Sequence, residues 1–252
     1  MRSAEGLPSL DAHAHLRPGA DAGFEEAGAV LAMTLALDEA ASTLPARGPA
    51  IPVGVGCHPR LARAMAGFDR DRFEELVLGA ALVGEVGLDG GSRVPAEIQL
   101  RVFREILDVV ARRPLPVSIH GYRATGAVLD ELAGRPVAAP ILHWWTGSAA
   151  ETSRAVELGC WFSVHSAVAR RSIWRTRVPP ERLLVESDHG WRDPPAAIPH
   201  RVAWVEHLLA QQLVVPVGDV RALAWRNLAA VFAATDAATR LPAQLRALLA
   251  GR

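Results

Sequence analysis

The chain has 252 residues, half of them apolar and 21% charged, and its 27 cationic side chains balance 27 acidic ones. That balance leaves no overall field to draw the protein onto nucleic acid or an anionic membrane, so any such contact must be local. Every one of the cations is arginine, which excludes a Schiff-base lysine, a phosphate-loop lysine and a carboxylated lysine bridging two metals.

This length suits a single α/β barrel domain covering residues 1–252. Cys57 and Cys160 are too few for a disulfide framework and are not spaced as a metal-binding pair, so a reducing compartment is expected. Residues 1–10 lack the pattern of a secretory signal, and the longest apolar stretch, 27–37, is too short to span a bilayer. The expected location is the cytoplasm, with no membrane contact.

Eight short apolar runs read as buried parallel strands. The first, 9–16, carries Asp11-Ala-His13-Ala-His15, and the second is 30–36. The third, 51–56, leads into Cys57-His58-Pro59-Arg60, and the fourth, 81–88, contains Glu85. A helix follows, with Ile98, Val102, Ile106 and Val109 on one face and Arg101, Arg104 and Asp108 opposite. The fifth run, 115–120, closes on His120, and a helix is expected over 124–132. The sixth, 140–144, carries His143 and precedes a helix over 149–158. The seventh is 159–164, and the eighth, 182–186, leads to Asp188 and a proline-rich loop at 192–199. Helices over 201–213 and 220–232 and a terminal helix after Asp236 complete the pattern. Alternation of strand and helix implies a parallel sheet, and eight units imply closure into a barrel, with an open doubly wound sheet as the alternative.

Polar residues interrupt these runs at the strand ends. Side chains two apart on a strand share a face, so His13 and His15 can reach one metal. With nine histidines in the chain, that pair alone carries little weight. Glu85, His120, His143 and Asp188 add to it, because an imidazole or carboxylate at the end of a buried strand is costly unless a metal or hydrogen bond satisfies it. The expected cofactors are one or two divalent ions such as Zn, Mn, Mg, Co or Ni. Glu85 would bridge, His13, His15 and Asp188 would complete one site, and His120 and His143 the other. Metal acidifies its water toward pH 7, and Asp188 is the candidate to take that water's proton.

His58 and Arg60 are candidate phosphate donors, although His58 equally reads as a strand cap before Pro59. His165 and His189 lie near strand ends as further candidates, whereas His200 and His207 read as solvated. Trp144 and Trp145, with Trp161, Trp174 and Trp191 expected near the same edge, are mostly core in this reading, with one or two, Trp144 foremost, stacking on substrate. Arg170, Arg171, Arg175 and Arg177 form a basic run around Trp174, either a solvated face or a phosphate contact.

These motifs, in order, resemble the TatD family of metal-dependent deoxyribonucleases: Asp11-Ala-His-Ala-His15, Gly56-Cys-His-Pro59, Gly84-Glu-Val-Gly-Leu-Asp89, Ile119-His120, His143 with Gly147, Glu186-Ser-Asp188 and Asn227-Leu-Ala-Ala-Val-Phe232. The resemblance implies a TIM-like (β/α)8 barrel of the amidohydrolase type, DNA as substrate, the six residues above as metal ligands and His58 as an additional active-site histidine. Gly-Leu-Asp-Gly at 87–90, His-Trp-Trp-Thr-Gly at 143–147 and Gly-Cys-Trp-Phe-Ser-Val at 159–164 are similar to QatD, the TatD-type component of the Qat antiphage defence system, which implies other Qat proteins as partners. Gly90, Trp144-Trp145 and His189-Gly190 depart from the family's usual residues and alter the pocket wall. Two alternatives stand beside the nuclease: a metal-dependent hydrolase of a small amide or ester, and a non-catalytic subunit of a defence complex.

Overall fold

The computed structural model describes residues 6–16, 28–46, 50–171, 174, 178–191 and 201–250. Eight parallel strands pair strictly in chain order: β1 (Leu10–Ala14), β2 (Ala29–Met33), β3 (Val53–Val55), β4 (Leu82–Gly87), β5 (Pro116–His120), β6 (Ala139–Leu142), β7 (Trp161–Val164) and β8 (Leu183–Val185). All eight expected runs are strands, each shorter than its apolar run. In β2, period-two alternation divides the side chains between two apolar clusters: Leu31 and Met33 join the main core, while Val30 and Ala32 face a smaller one with Ile51 and Val53. The expected barrel is thus observed, and the open sheet is not.

Helices surround the strands: α1 (Leu37–Thr43), α2 (Ala62–Ala66), α3 (Arg70–Leu78), α4 (Ala96–Arg112), α5 (Thr125–Gly134), α6 (Ala149–Glu157), α7 (Ser166–Ala169), α8 (Arg201–Leu213), α9 (Val217–Ala233) and α10 (Ala243–Leu249). In α4, Val102, Phe103, Ile106, Val109 and Val110 are buried at helical spacing against the barrel. A capping box between Ser148 and Glu151 starts α6. Among the described residues, no helix is long and apolar enough to cross a membrane. The expected loop at 192–199 lies outside the described residues.

The seam between β8 and β1 closes at the carboxyl end of the barrel. The Asp188 amide donates to the His13 carbonyl at 3.0 Å, and the His15 amide to the His189 carbonyl at 2.6 Å. Asp11 reinforces this closure, accepting from the Ser187 amide at 3.0 Å and the Ser187 hydroxyl at 2.5 Å. At the opposite end, α9 fastens the segment before β1: Arg221 donates to the Leu7 carbonyl at 3.0 Å and the Trp225 indole to the Pro8 carbonyl at 2.8 Å. Asn227 ties the same helix to the start of β8 through the Pro180 and Leu183 carbonyls.

Arg221 also pairs with the fully buried Glu206 of α8 at 2.6 Å. Removing the guanidinium strands a buried carboxylate, so Arg221→Ala is expected to cost about 3 kcal/mol, or roughly 6–12 °C of Tm. Thermal denaturation followed by circular dichroism measures this, and an unchanged Tm would show that the clasp contributes nothing.

Candidate metal centre

All six residues expected to bind metal converge at the carboxyl end of the barrel, though one arrives differently from the sequence expectation. His13 lies in β1 with His15 just beyond it, His120 ends β5, and His143 and Asp188 follow β6 and β8. Glu85 instead lies inside β4, where the register with β5 shifts between Val83 and Val86. Asp188 sits in the left-handed region at φ 50°. Gly190 lets the following turn press against β1, since a Cβ there would overlap the His15 carbonyl.

Glu85 is 1% exposed, and its two oxygens face different imidazoles. Oε2 lies 3.5 Å from His13 Nε2, 3.2 Å from His15 Nε2 and 3.3 Å from His58 Nε2. Oε1 lies 2.6 Å from His120 Nδ1 and 3.4 Å from His143 Nε2. Asp188 Oδ1 lies 3.7 Å from His13 Nε2 and 3.4 Å from His15 Nε2, yet it is buried without a hydrogen-bond partner.

The remote ring nitrogens decide which atoms are free to ligate. His15 Nδ1 lies 3.2 Å from the Met33 carbonyl and His143 Nδ1 lies 3.1 Å from Glu186. When neutral, both rings donate there, which leaves Nε2 as a lone pair directed at the cluster. His13 Nδ1 meets the Ser118 hydroxyl at 2.7 Å, and its Nε2 faces Glu85 and Asp188. A carboxylate oxygen without a partner, surrounded by imidazole lone pairs, is a donor set that suits a divalent transition metal. Three groups of ligand atoms lie close enough to share an ion: His13 with His15 and Asp188, His13 with Glu85 and His143, and His58 with Glu85 and His120. The first matches the expected half-site. The other two divide His143 and His120 between them, where the sequence reading joined the pair.

His120 is engaged at both nitrogens, with Nε2 2.8 Å from Asp89 Oδ2 as well as Nδ1 on Glu85. Burial opposes its charge, but Glu85 and Asp89 outweigh burial and raise its pKa. Burial likewise opposes charge on His15 and His143. Asp188 and Glu85 lift His15 to about 10, and Glu186 with Glu85 lifts His143 to about 9. Burial dominates in His13 and His58 and pushes both down. Glu85 falls well below the usual carboxylate range because the surrounding imidazoles overcome its burial.

His58 is 1% exposed, and its Nδ1 accepts from the Arg60 amide at 3.1 Å. The neutral ring therefore carries its proton on Nε2, facing Glu85 as a donor. Both sequence readings of His58 coexist: one nitrogen caps the turn, the other enters the site. Arg60 Nη1 lies 3.5 Å from Asp89 Oδ2, and Arg60 and Trp144 both line a cleft of 350 Å³ opening over Glu85 and Asp188. Trp144 stacks on His165 at 3.7 Å, and Trp191, also in the cleft, stacks on His58 at 4.3 Å.

Among the other tryptophans, Trp145 and Trp174 are core as expected, and Trp161 corrects the expected edge. Trp161 opens β7, at the end of the barrel away from the cluster, under Arg182. Trp145 is buried with its indole on Thr152, although it also borders the cleft, and Trp174 is buried against Gln212. His207 is exposed on α8 as expected, and Arg170 and Arg171 are exposed, while Arg175, Arg177 and His200 lie outside the described residues.

Sequence reasoning did not single out the groups that hold the ligands. Glu186 is fully buried, accepting from Ser163, His143 and the Trp144 amide. Burial would raise its pKa, but His143 and Ser163 hold it at about 2. Asp11, Asp89 and Ser118 serve neighbouring positions. Asp11, Asp89 and Glu186 stood in the quoted motifs without a role.

Without metal, charged His15, His120 and His143 stabilise the fold below about pH 6.5, and that contribution is lost as pH climbs through their raised pKa values, about 9 for His143 and about 10 for His15. Metal-free protein should therefore lose Tm between pH 7 and 10, while the Tm gained on adding Mn or Zn should grow over that interval, because ligation requires neutral imidazole. A gain independent of pH would contradict this. Glu186→Gln should weaken metal affinity by roughly 10–100-fold, read by titration calorimetry, with wild-type affinity as the contrary result.

Solved structures share this fold. The TatD homologue YJJV from Escherichia coli K12 superimposes with a TM-score of 0.79 at 20% identity, covering 89% of this chain and 98% of that one. A TatD family hydrolase from Entamoeba histolytica gives 0.72 at 13%, covering 91% and 99%. In sequence, the chain is 30% identical over 148 residues to the uncharacterized metal-dependent hydrolase YabD of Bacillus subtilis and 31% identical over 116 residues to Deoxyribonuclease Tat-D of Schizosaccharomyces pombe. Those alignments cover 55% and 43% of this chain, and 58% and 37% of the relatives. The TatD related DNase family matches residues 10–233, from the first strand to the end of α9, and the chain belongs to that family.

Proposed function

We propose that the protein is a metal-dependent phosphodiesterase that cleaves DNA, working as one barrel domain. The observation that carries this reading is the division of Glu85: one oxygen faces His13 and His15, the other His120 and His143. In this assignment Glu85, His13, His15 and Asp188 would hold one ion, and Glu85, His120 and His143 would hold the other. One or two divalent ions from the set Zn, Mn, Mg, Co and Ni would supply charge neutralisation at the phosphate and acidify the attacking water. Asp188, which would also hold an ion, would take the proton of the attacking water. His58 donates from Nε2 and Arg60 from its guanidinium to phosphate oxygens, and Trp144 borders the bound nucleotide.

Two cationic or donor groups beside the carboxylate cluster favour a phosphate over a neutral amide or ester, and the intact set of six speaks against a non-catalytic subunit. Family membership and the name of the fission-yeast relative point in the same direction. The buried free thiols of Cys57 and Cys160 suit the cytoplasm. The motifs at 87–90, 143–147 and 159–164 further support a role in Qat-type antiphage defence beside other Qat proteins.

Incubating purified protein with labelled single- and double-stranded DNA and a series of divalent metals tests the reading. Wild type should cleave, and Asp188→Asn should be slower by at least about 10²-fold. Glu85→Ala should be inactive while retaining a cooperative melt. Equal cleavage by wild type and Asp188→Asn would overturn the assignment.

A further inference from the structure

Beside the cleft, the turn after β5 holds an aromatic ring that the assignment above leaves unused. Tyr122 lines the cleft and is 46% exposed, a large ring open to solvent. Two guanidiniums lie over it: that of Arg123 is 5.3 Å from the ring centroid and that of Arg60 is 6.0 Å away.

The ring stands on a fixed base. The Gly90 amide donates to the Tyr122 carbonyl at 2.8 Å, clamping the turn onto the loop after β4. A Cβ at Gly90 would overlap the Arg123 carbonyl, and one at Gly91 would lie 3.1 Å from the Tyr122 ring. Paired glycines are therefore what allow the two loops to touch. Arg123 holds φ 51°, a backbone state disfavoured for a long side chain and kept only where its surroundings enforce it. A half-exposed ring on a rigid turn, covered only by two guanidiniums that can turn aside to phosphates, matches what single-stranded nucleic acid offers: a flat base with phosphates on either side.

We propose that Tyr122 is the stacking platform for one unpaired nucleobase of the substrate, with Arg123 and Arg60 holding the adjoining phosphates. This rests on the phosphodiesterase reading and adds the subsite that makes the enzyme prefer a strand end whose bases are free.

The test measures binding of fluorescent oligothymidylates of two to six nucleotides by anisotropy, in an Asp188→Asn background that leaves the oligomer uncut. An abasic oligomer of equal length and charge serves as comparator, and wild-type cleavage of the same oligomers is followed in parallel. Tyr122→Ala and Tyr122→Leu should weaken binding of the base-bearing oligomer by roughly 5- to 150-fold. Tyr122→Phe should bind as the parent does, and the gap between parent and Tyr122→Ala should close on the abasic oligomer. Tyr122 is exposed, so the variants keep the parent Tm. Equal binding of base-bearing oligomer by Tyr122→Ala and parent, or an equal loss on the abasic one, overturns the platform while leaving the phosphodiesterase intact. Absence of both binding and wild-type cleavage overturns the two together.

Discussion

A carboxylate buried inside a parallel strand is the constraint around which this protein is arranged. Glu85 has almost no access to water, and an ionised carboxylate in that position must be compensated or be neutralised by a shifted pKa. Compensation is what the fold provides. Imidazoles from β1, β5 and the turns after β3 and β6 surround the two oxygens, and Asp188 crosses from the far side of the seam. The seam between β8 and β1 closes through the same residues, so barrel closure and the cluster share their backbone contacts.

The second level of order lies in what holds the imidazoles. His15 is anchored by a backbone carbonyl, His143 by Glu186, His13 by Ser118 and His120 by Asp89. Each anchor takes one ring nitrogen and thereby directs the other. Glu186 does two things at once, fixing His143 and accepting from the Trp144 amide. The cleft wall is therefore tied to the cluster through a single side chain.

Much of this was legible in the sequence. Apolar runs bounded by Gly and Pro disclosed all eight strands, and histidines and carboxylates at their ends disclosed the cluster. Strand ends were read too long, because burial continues past the last ladder hydrogen bond in the turns that carry His143 and Asp188. The helix Arg70–Leu78 went unseen because Phe73 and Val77 are its only buried residues, too few to show a period. Glu186 and Asp89 had the residue type of a ligand, and type alone does not distinguish a carboxylate facing a metal from one pinning an imidazole. Trp161 lies away from the cluster because it is the first residue of β7, and the first residue of a parallel strand is far from its last. Tyr122 gave no signal, since its setting is made by Gly90 and Gly91, far from it in sequence.

The central claim is that Glu85 stands between two divalent-ion sites, and anomalous diffraction from crystals soaked in manganese tests it most directly. The account predicts anomalous density on both sides of Glu85, one peak among His13, His15 and Asp188 and the other against His120 and His143. Crystals that show no anomalous peak within reach of Glu85 would contradict it.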